Sequence, residues 1–368
     1  MNKIRILHIQ LLPLLSGVQN MMLNLLDGLD PEKYEIFVAS KPGGDLVKEI
    51  MKRDYNYIPL YKIEHAISPK DVLAFLELLQ ICRNQKFDIV HTHSSKTGFL
   101  GRIAARMAGV PKIIHTAHGF SFHPYQPIAQ RMFYQALESI SARFCDTMVF
   151  VNDADRMWAE KNPMFRNTSL LTIYNGVPIP DINHRQERFE FLRDRFVIGS
   201  SSRFSAQKNI VQTIEAAILS CRRNPKLAFV FIGDGELYNL CAKMVKSANL
   251  TDSIFLPGWQ KDTQAWLEQF DCFLLYSLWE GLPLSILEAM SVGLPIIGSD
   301  IKGNDELISD LNGILVPPRK PEYLAEVLQG LPERQKELKT WGENSRKSVI
   351  QRFNMDDFIE RYIELYES

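Results

Sequence analysis

The sequence predicts an α/β protein with two doubly wound parallel sheets, and three observations carry that expectation. Short, continuous apolar runs at 4–10 (IRILHIQ), 34–39, 87–93, 112–116 and 146–152 read as buried strands, with helical periodicity between them. At 173–181 the segment Ile-Tyr-Asn-Gly-Val-Pro-Ile-Pro-Asp reads as a last short strand passing into a Pro/Gly linker, after which the alternation restarts at 196–201 and 227–232. The 368 residues suffice for two domains of ordinary size. We therefore expect Rossmann-like domains over 1–178 and 179–350, facing across a cleft, and a final amphipathic helix within 351–368.

Composition narrows the class. A hydrophobic fraction of 46% with 23% charged residues is that of a soluble globular protein. The five cysteines are scattered without a C-x-x-C pair, which fits reduced thiols in the cytosol and argues against zinc. The chain opens directly on a strand, so no signal peptide is expected, and no apolar run reaches the ~18–20 residues of a membrane span. Residues 1–180 hold 20 Lys+Arg against 16 Asp+Glu, and 181–368 hold 22 against 27. Between His91 and Val151, Lys96, Arg102, Arg106, Lys112, Arg131 and Arg143 face only Glu138 and Asp146. That is too sparse for nucleic acid but fits a surface that touches anionic lipid or phosphate.

In chain order, the first strand leads through a loop to Gly17, where the backbone can approach a phosphate closely, and to a helix over 18–29. No G-x-G-x-x-G follows, which weakens a dinucleotide-dependent oxidoreductase. A turn at 42–44 and helices over 45–53 and 69–85 come next. His91 and His93 point to one face of their strand, so a metal pair is conceivable, but local carboxylate ligands are missing. Histidines at strand ends facing a polar cleft fit better, with His91 alternatively a hydrogen-bonded core residue. His118 follows a strand and precedes Gly119, a loop position from which side chains reach substrate. The aromatic, proline-rich stretch 121–128 and the helix over 129–144 suit an interfacial or acceptor-facing edge, or else Phe133 and Tyr134 are core. Asp153-Ala-Asp155 mimics a metal-binding D-x-D, although Asn152 or Asp153 is better suited to cap a helix.

The second half places Arg203 and Lys208 just after a strand, as a fork and a point charge for a diphosphate. Gly233 opens a turn before a helix, and Gly258-Trp259 ends a strand where main-chain groups suit a nucleobase edge. The densest stretch is 271–300: a strand at 272–276, a helix with Pro283 at its first position and Gly293 closing it, and a strand at 294–297. Glu280 at the helix entrance and Glu288 two turns on both look toward the C-terminal edge of the sheet. The amides of Gly281, Leu282, Leu284 and Ser285 suit an anion there, and the acids suit sugar and ribose hydroxyls.

These residues, in this order, resemble the retaining, nucleotide-sugar-dependent glycosyltransferases of family four with the GT-B fold. Ser16-Gly17, His118-Gly119, Asn175-Gly176-Val177, Arg203 with Lys208, Gly233-Asp-Gly235, Glu280-x7-Glu288, Gly303 to Glu306 and Asn312-Gly313 carry the resemblance over nearly the whole chain. It implies donor binding by Gly17, Arg203, Lys208, Gly233, Gly258, Trp259, Glu280, Gly281, Leu282, Pro283, Leu284 and Glu288, with His118 and Glu280 at the reacting sugar. It also implies a last helix crossing back to the N-terminal domain, no bound metal and no cofactor. The leaving diphosphate would take the acceptor proton. The expected reaction moves a hexose or N-acetylhexosamine from a nucleotide-diphosphate sugar, UDP by family frequency, to a lipid-linked or oligosaccharide acceptor at the inner membrane face. Gln19, where the family often has an acid, departs from the pattern. A nucleotide-sugar epimerase and a non-catalytic nucleotide-sugar-binding subunit are the alternatives.

Overall fold

The computed structural model describes residues 3–64, 68–182 and 187–368. The chain divides into two compact units, one of residues 1–175 with 356–368 and the other of residues 176–355.

Unit 1 alternates strands and helices in the order β1 (Ile4–Ile9), α1 (Gly17–Asp27), β2 (Tyr34–Ser40), α2 (Gly44–Lys52), β3 (Asn56–Pro59), α3 (Asp71–Gln85) and β4 (Ile89–His93). It continues with α4 (Ser95–Ala108), β5 (Lys112–Ala117), α5 (Ile128–Ala142), β6 (Thr147–Phe150), α6 (Asp153–Glu160) and β7 (Ser169–Thr172). The seven strands are parallel in the order β3-β2-β1-β4-β5-β6-β7. Because the strand order reverses between β1 and β4, the loops after these strands diverge and leave a crevice at their C-terminal ends. One core, around Leu7, Phe37, Leu78, Val90, Ala104 and Ile113, lies on one face of the sheet. The last helix, α13 (Met355–Glu367), buries Phe358, Tyr362, Leu365 and Tyr366 in this unit, a spacing of one helical stripe.

Unit 2 runs β8 (Phe196–Ser201), α7 (Ile210–Arg223), β9 (Leu227–Ile232), α8 (Tyr238–Ser247), β10 (Ile254–Gly258), α9 (Thr263–Leu267), β11 (Cys272–Leu275), α10 (Leu284–Ser291), β12 (Ile296–Ser299), β13 (Gly313–Val316), α11 (Pro321–Gly330) and α12 (Gln335–Arg352). Its six parallel strands lie in the order β10-β9-β8-β11-β12-β13, so the reversal falls between β8 and β11. Central strands are buried on both faces and read as unbroken apolar runs, as Leu227–Ile232 shows with all six residues buried.

Several boundaries differ from expectation. The strand expected at 294–297 is 296–299, because Leu294 and Pro295 still belong to the turn after Gly293, whose φ of +82° suits a residue without a side chain. Pro283 is the N-cap of α10 rather than its first helical residue: its ψ of 114° is extended, and its carbonyl accepts the Ile286 N–H at 3.1 Å. The strand β3 escapes a sequence reading because Asn56-Tyr-Ile-Pro59 is an edge strand, too short to show a period.

Candidate active site

The reversal in unit 2 sets the loop after β8 beside the loop after β11, and these carry the charged residues the sequence singles out. Lys208 Nζ lies 2.5 Å from Glu280 Oε1, with the two side chains only 19% and 6% exposed. The pair is therefore largely withdrawn from water, where a lone charge would be costly. One of the three N–H donors of Lys208 belongs to Glu280, and two remain. Arg203 is far more open, 72% exposed, and pairs with Glu236 at 3.1 Å. Gln207 fastens the two loops by donating to the Trp279 carbonyl at 3.0 Å, while Leu278 N–H donates to the Gln207 carbonyl at 2.8 Å.

Helix α10 follows at once. The N–H groups of Leu284 and Ser285 precede the first in-helix bonds and have no acceptor among the described residues. Glu288, half-buried one turn further on, is held in a poorly solvated position that pushes its carboxyl up to about 7. Two glycines are dictated by close approach. Gly233 has φ +133°, and a Cβ there would lie 1.9 Å from the Ser202 carbonyl oxygen. Gly303 has φ +88° and passes beneath the glutamate loop, where a Cβ would lie 2.2 Å from the Gly281 oxygen.

The Gly258 carbonyl accepts the Gly233 N–H at 2.9 Å and so ties the ends of β9 and β10 together. Trp259 beside it is 69% exposed.

In unit 1, Gly17 is the first residue of α1, after an extended Ser16 whose hydroxyl bonds the Gln19 side chain instead of capping the helix. Gln19 is buried and also donates to Gln10 Oε1 at 3.4 Å. His118 extends beyond β5 and lines a cavity of about 600 Å³ walled by Phe99, Phe120, Phe122, Phe133 and Tyr134. Burial lowers its imidazole to about 4, so it is neutral at physiological pH.

His91 and His93 do not face a cleft as expected, whereas His115 borders the same cavity as His118. His91, His93 and His115 are all buried, at 0%, 2% and 1% exposure, because they point into the face that α13 covers or against α4. His91 is the hydrogen-bonded core residue of the alternative reading, bonded to Tyr366 Oη at 2.7 Å and Thr116 Oγ1 at 2.8 Å. Four of the six cations in the basic stretch are also neutralised or tied down. Arg102 is fully buried against Glu138 at 2.7 Å, Lys96 pairs with Asp71 at 2.6 Å, Arg106 with Asp146 at 2.5 Å, and Lys112 bonds the end of α13. The D-x-D resolves as a cap: Asn152 Oδ1 accepts the Asp155 N–H, and Asp153 is bound by Thr172, Tyr174 and Arg156.

Sequence reasoning missed His8, Thr116, Tyr362 and Tyr366, which complete the histidine layer. His8 hides in the apolar run of β1, and its partners lie on strands and a helix far along the chain.

Comparison with known proteins shows the family. Residues 15–179 match the family model described as Glycosyltransferase Family 4, and residues 182–348 match Glycosyl transferases group 1. The chain belongs to the family-four glycosyltransferases. It is 34% identical to the Escherichia coli UDP-Gal:alpha-D-GlcNAc-diphosphoundecaprenol alpha-1,3-galactosyltransferase, over 99% of this chain and 97% of that one. It is also 26% identical to the putative glycosyltransferase EpsD of Bacillus subtilis, over 82% and 81% of the two chains. Its fold matches that of Anabaena HepE, solved in complex with UDP and glucose, with a TM-score of 0.82 at 17% identity and 99% coverage of both chains.

Proposed function

We propose that this glycosyltransferase moves a hexose or N-acetylhexosamine from a UDP-sugar to a lipid-linked surface-glycan acceptor, with retention of anomeric configuration and without a metal ion. The observation that carries the donor half is the Lys208–Glu280 pair at the strand-order reversal of unit 2, next to the unpaired amides of α10. The two spare donors of Lys208, the open guanidinium of Arg203 and the α10 amides offer fixed positive charge to a diphosphate leaving group. Gly17 is assigned, from the family pattern, to close approach of the backbone to a donor phosphate. Glu280 keeps one carboxylate oxygen for hydroxyls of the donor sugar, and Glu288 takes the ribose. Neutral His118 contacts the donor sugar, and the leaving phosphate takes the acceptor proton, so no protein base is assigned.

For the acceptor half, the relative from Escherichia coli acts on a diphosphoundecaprenol-linked sugar by its name. Apolar residues, not cations, support a membrane-facing edge on this chain: Ile128 and Met132 on α5 are 68% and 62% exposed. No described helix is long and apolar enough to cross a membrane. We place the protein in the cytoplasm, peripheral on the inner face of the membrane.

The test is transfer from a panel of UDP-, GDP- and ADP-sugars to a synthetic polyprenyl-diphosphate monosaccharide, with product configuration read by NMR. We expect an α-linked product from one α-configured UDP-sugar, unaffected by chelator. A β-linked product, or a donor consumed only to an epimer, would overturn the reading.

A further inference from the structure

We infer that His118 is held as its Nδ1–H tautomer by an unbroken line of buried hydrogen bonds that begins on α13, with Tyr366, His8 and His93 as positioning residues. The inference rests on the reading above in which His118 faces the donor sugar.

The line starts at the Tyr362 hydroxyl, 2.9 Å from Thr116 Oγ1, which lies 2.8 Å from His91 Nε2. His91 Nδ1 is 2.7 Å from the Tyr366 hydroxyl, which is 3.4 Å from His8 Nε2. His8 Nδ1 is then 3.1 Å from His93 Nε2, and His93 Nδ1 is 3.1 Å from His118 Nε2. The register explains the alignment: His8 pairs with His91 across β1 and β4, and His93 pairs with Thr116 across β4 and β5, so all four side chains share one face.

Burial holds these imidazoles well below their usual range, His8 at about 3 and His118 at about 4, so each is neutral. A neutral imidazole has one N–H and one bare nitrogen, and a hydroxyl has one proton. Each link can hold only one proton, so the direction carries through every imidazole; it can reverse only at a hydroxyl that accepts twice, and Tyr366 would then keep a proton with no acceptor among the described residues. If they ran toward α13, His91 would donate to Thr116, and one hydroxyl proton of the Thr116–Tyr362 pair would have nowhere to go. Tyr362 is 2% exposed, and among the described residues Thr116 is its sole hydrogen-bond partner. A desolvated, unused donor is costly. If the links run toward His118, every proton in the line has an acceptor, and His118 Nε2 receives the His93 N–H. Its own proton is then on Nδ1, ready to donate to a sugar oxygen, and Nε2 is occupied and cannot act as a base.

His8, His91 and His93 also bring ring nitrogens within 4.8 Å of one another, the spacing of a metal triad. All six of their ring nitrogens are engaged in the line, and a metal would have to displace at least two of those bonds. We therefore assign the cluster to proton ordering.

The test uses the full chain labelled with ¹⁵N-histidine. Long-range ¹H–¹⁵N spectra, with His118 assigned by its loss in H118A, should show a protonated Nδ1 and a bare Nε2 from pH 6 to 8. Y366F removes the bridging oxygen and keeps the ring. We expect its His118 signals to move toward the average of both tautomers, and kcat to fall roughly threefold to tenfold with donor KM nearly unchanged. T116V strands the Tyr362 proton at the other end, should produce the same spectral change, and serves if Y366F does not fold. A protonated Nε2 in the wild type, or His118 signals unmoved in both variants, would overturn the tautomer assignment even if H118A abolishes transfer. Signals that move while Y366F and H118A both keep full turnover would uphold the line and sink the sugar-facing role of His118.

Discussion

The two sheets of this protein share a plan and differ in what fills it. Each reverses its strand order once, between β1 and β4 in unit 1 and between β8 and β11 in unit 2. At the first reversal sit neutral imidazoles and hydroxyls in a closed line, and beside it an aromatic cavity. At the second sit an ion pair, an open guanidinium and a helix start. The fold supplies two equivalent crevices, and the side chains make one neutral and aromatic and the other charged.

The contrast is sharpest at Glu280. E280A should cost about 10²- to 10³-fold in turnover, since it removes a fixed polar contact to the reacting sugar and releases Lys208 from its position. Wild-type turnover in E280A would break the proposed division between the units. K208M should destabilise unit 2 by about 3 kcal/mol in urea unfolding, because it leaves Glu280 buried without its partner, and K208M/E280Q should recover much of that. Equal losses in the single and double variants would mean that the pair carries no mutual dependence.

Acidity should move the two units in opposite directions. Glu288 has a raised pKa, so its contribution to stability is fully present below pH ~4.5 and is lost as pH rises through about 7, roughly 3 kcal/mol at most. The buried histidines have lowered values, so stability tied to them is present above pH ~6.5 and is lost as pH falls toward about 4. Trp158 is the single tryptophan of unit 1, so fluorescence differences between W158F and wild type report that unit. E288Q should remove the alkaline loss and leave the acid loss in place. If Glu288 takes the ribose as a carboxylate, UDP should also bind more tightly from pH 6 to pH 8 in wild type and not in E288Q, as calorimetry would show. The smallest effect is expected at Arg203: R203A should weaken UDP about tenfold in a salt-dependent way and leave thermal stability within about 0.5 kcal/mol, as for other exposed pairs.

What the sequence revealed follows the same division. Continuous apolar strands and the restart after 173–181 marked both sheets, and the acids and cations of unit 2 were visible because Arg203, Lys208 and Glu280 sit in loops that follow strands and Glu288 sits on the helix after one of them. The Lys208–Glu280 pair was not visible as a pair, since 72 positions separate its members and only the β8–β11 adjacency joins them. The histidine layer was misread for a related reason. A strand pattern shows which residues share a face but not what covers that face, and here the cover comes from the last helix of the chain. Charge counting misled at 91–151 because Arg102 and Lys96 are neutralised by Glu138 and Asp71, partners that a local count cannot weigh.

That late cover has a consequence for how the protein is made. Residues 1–175 are complete 187 positions before Tyr362 and 191 before Tyr366 are synthesised, a delay of roughly ten seconds or more at ordinary elongation rates. Throughout that interval the nascent first unit displays a wet, unfinished flank of imidazoles, and it acquires its dry interior only near chain release. Loss of the last dozen residues would thus strike hardest at the oldest part of the polypeptide.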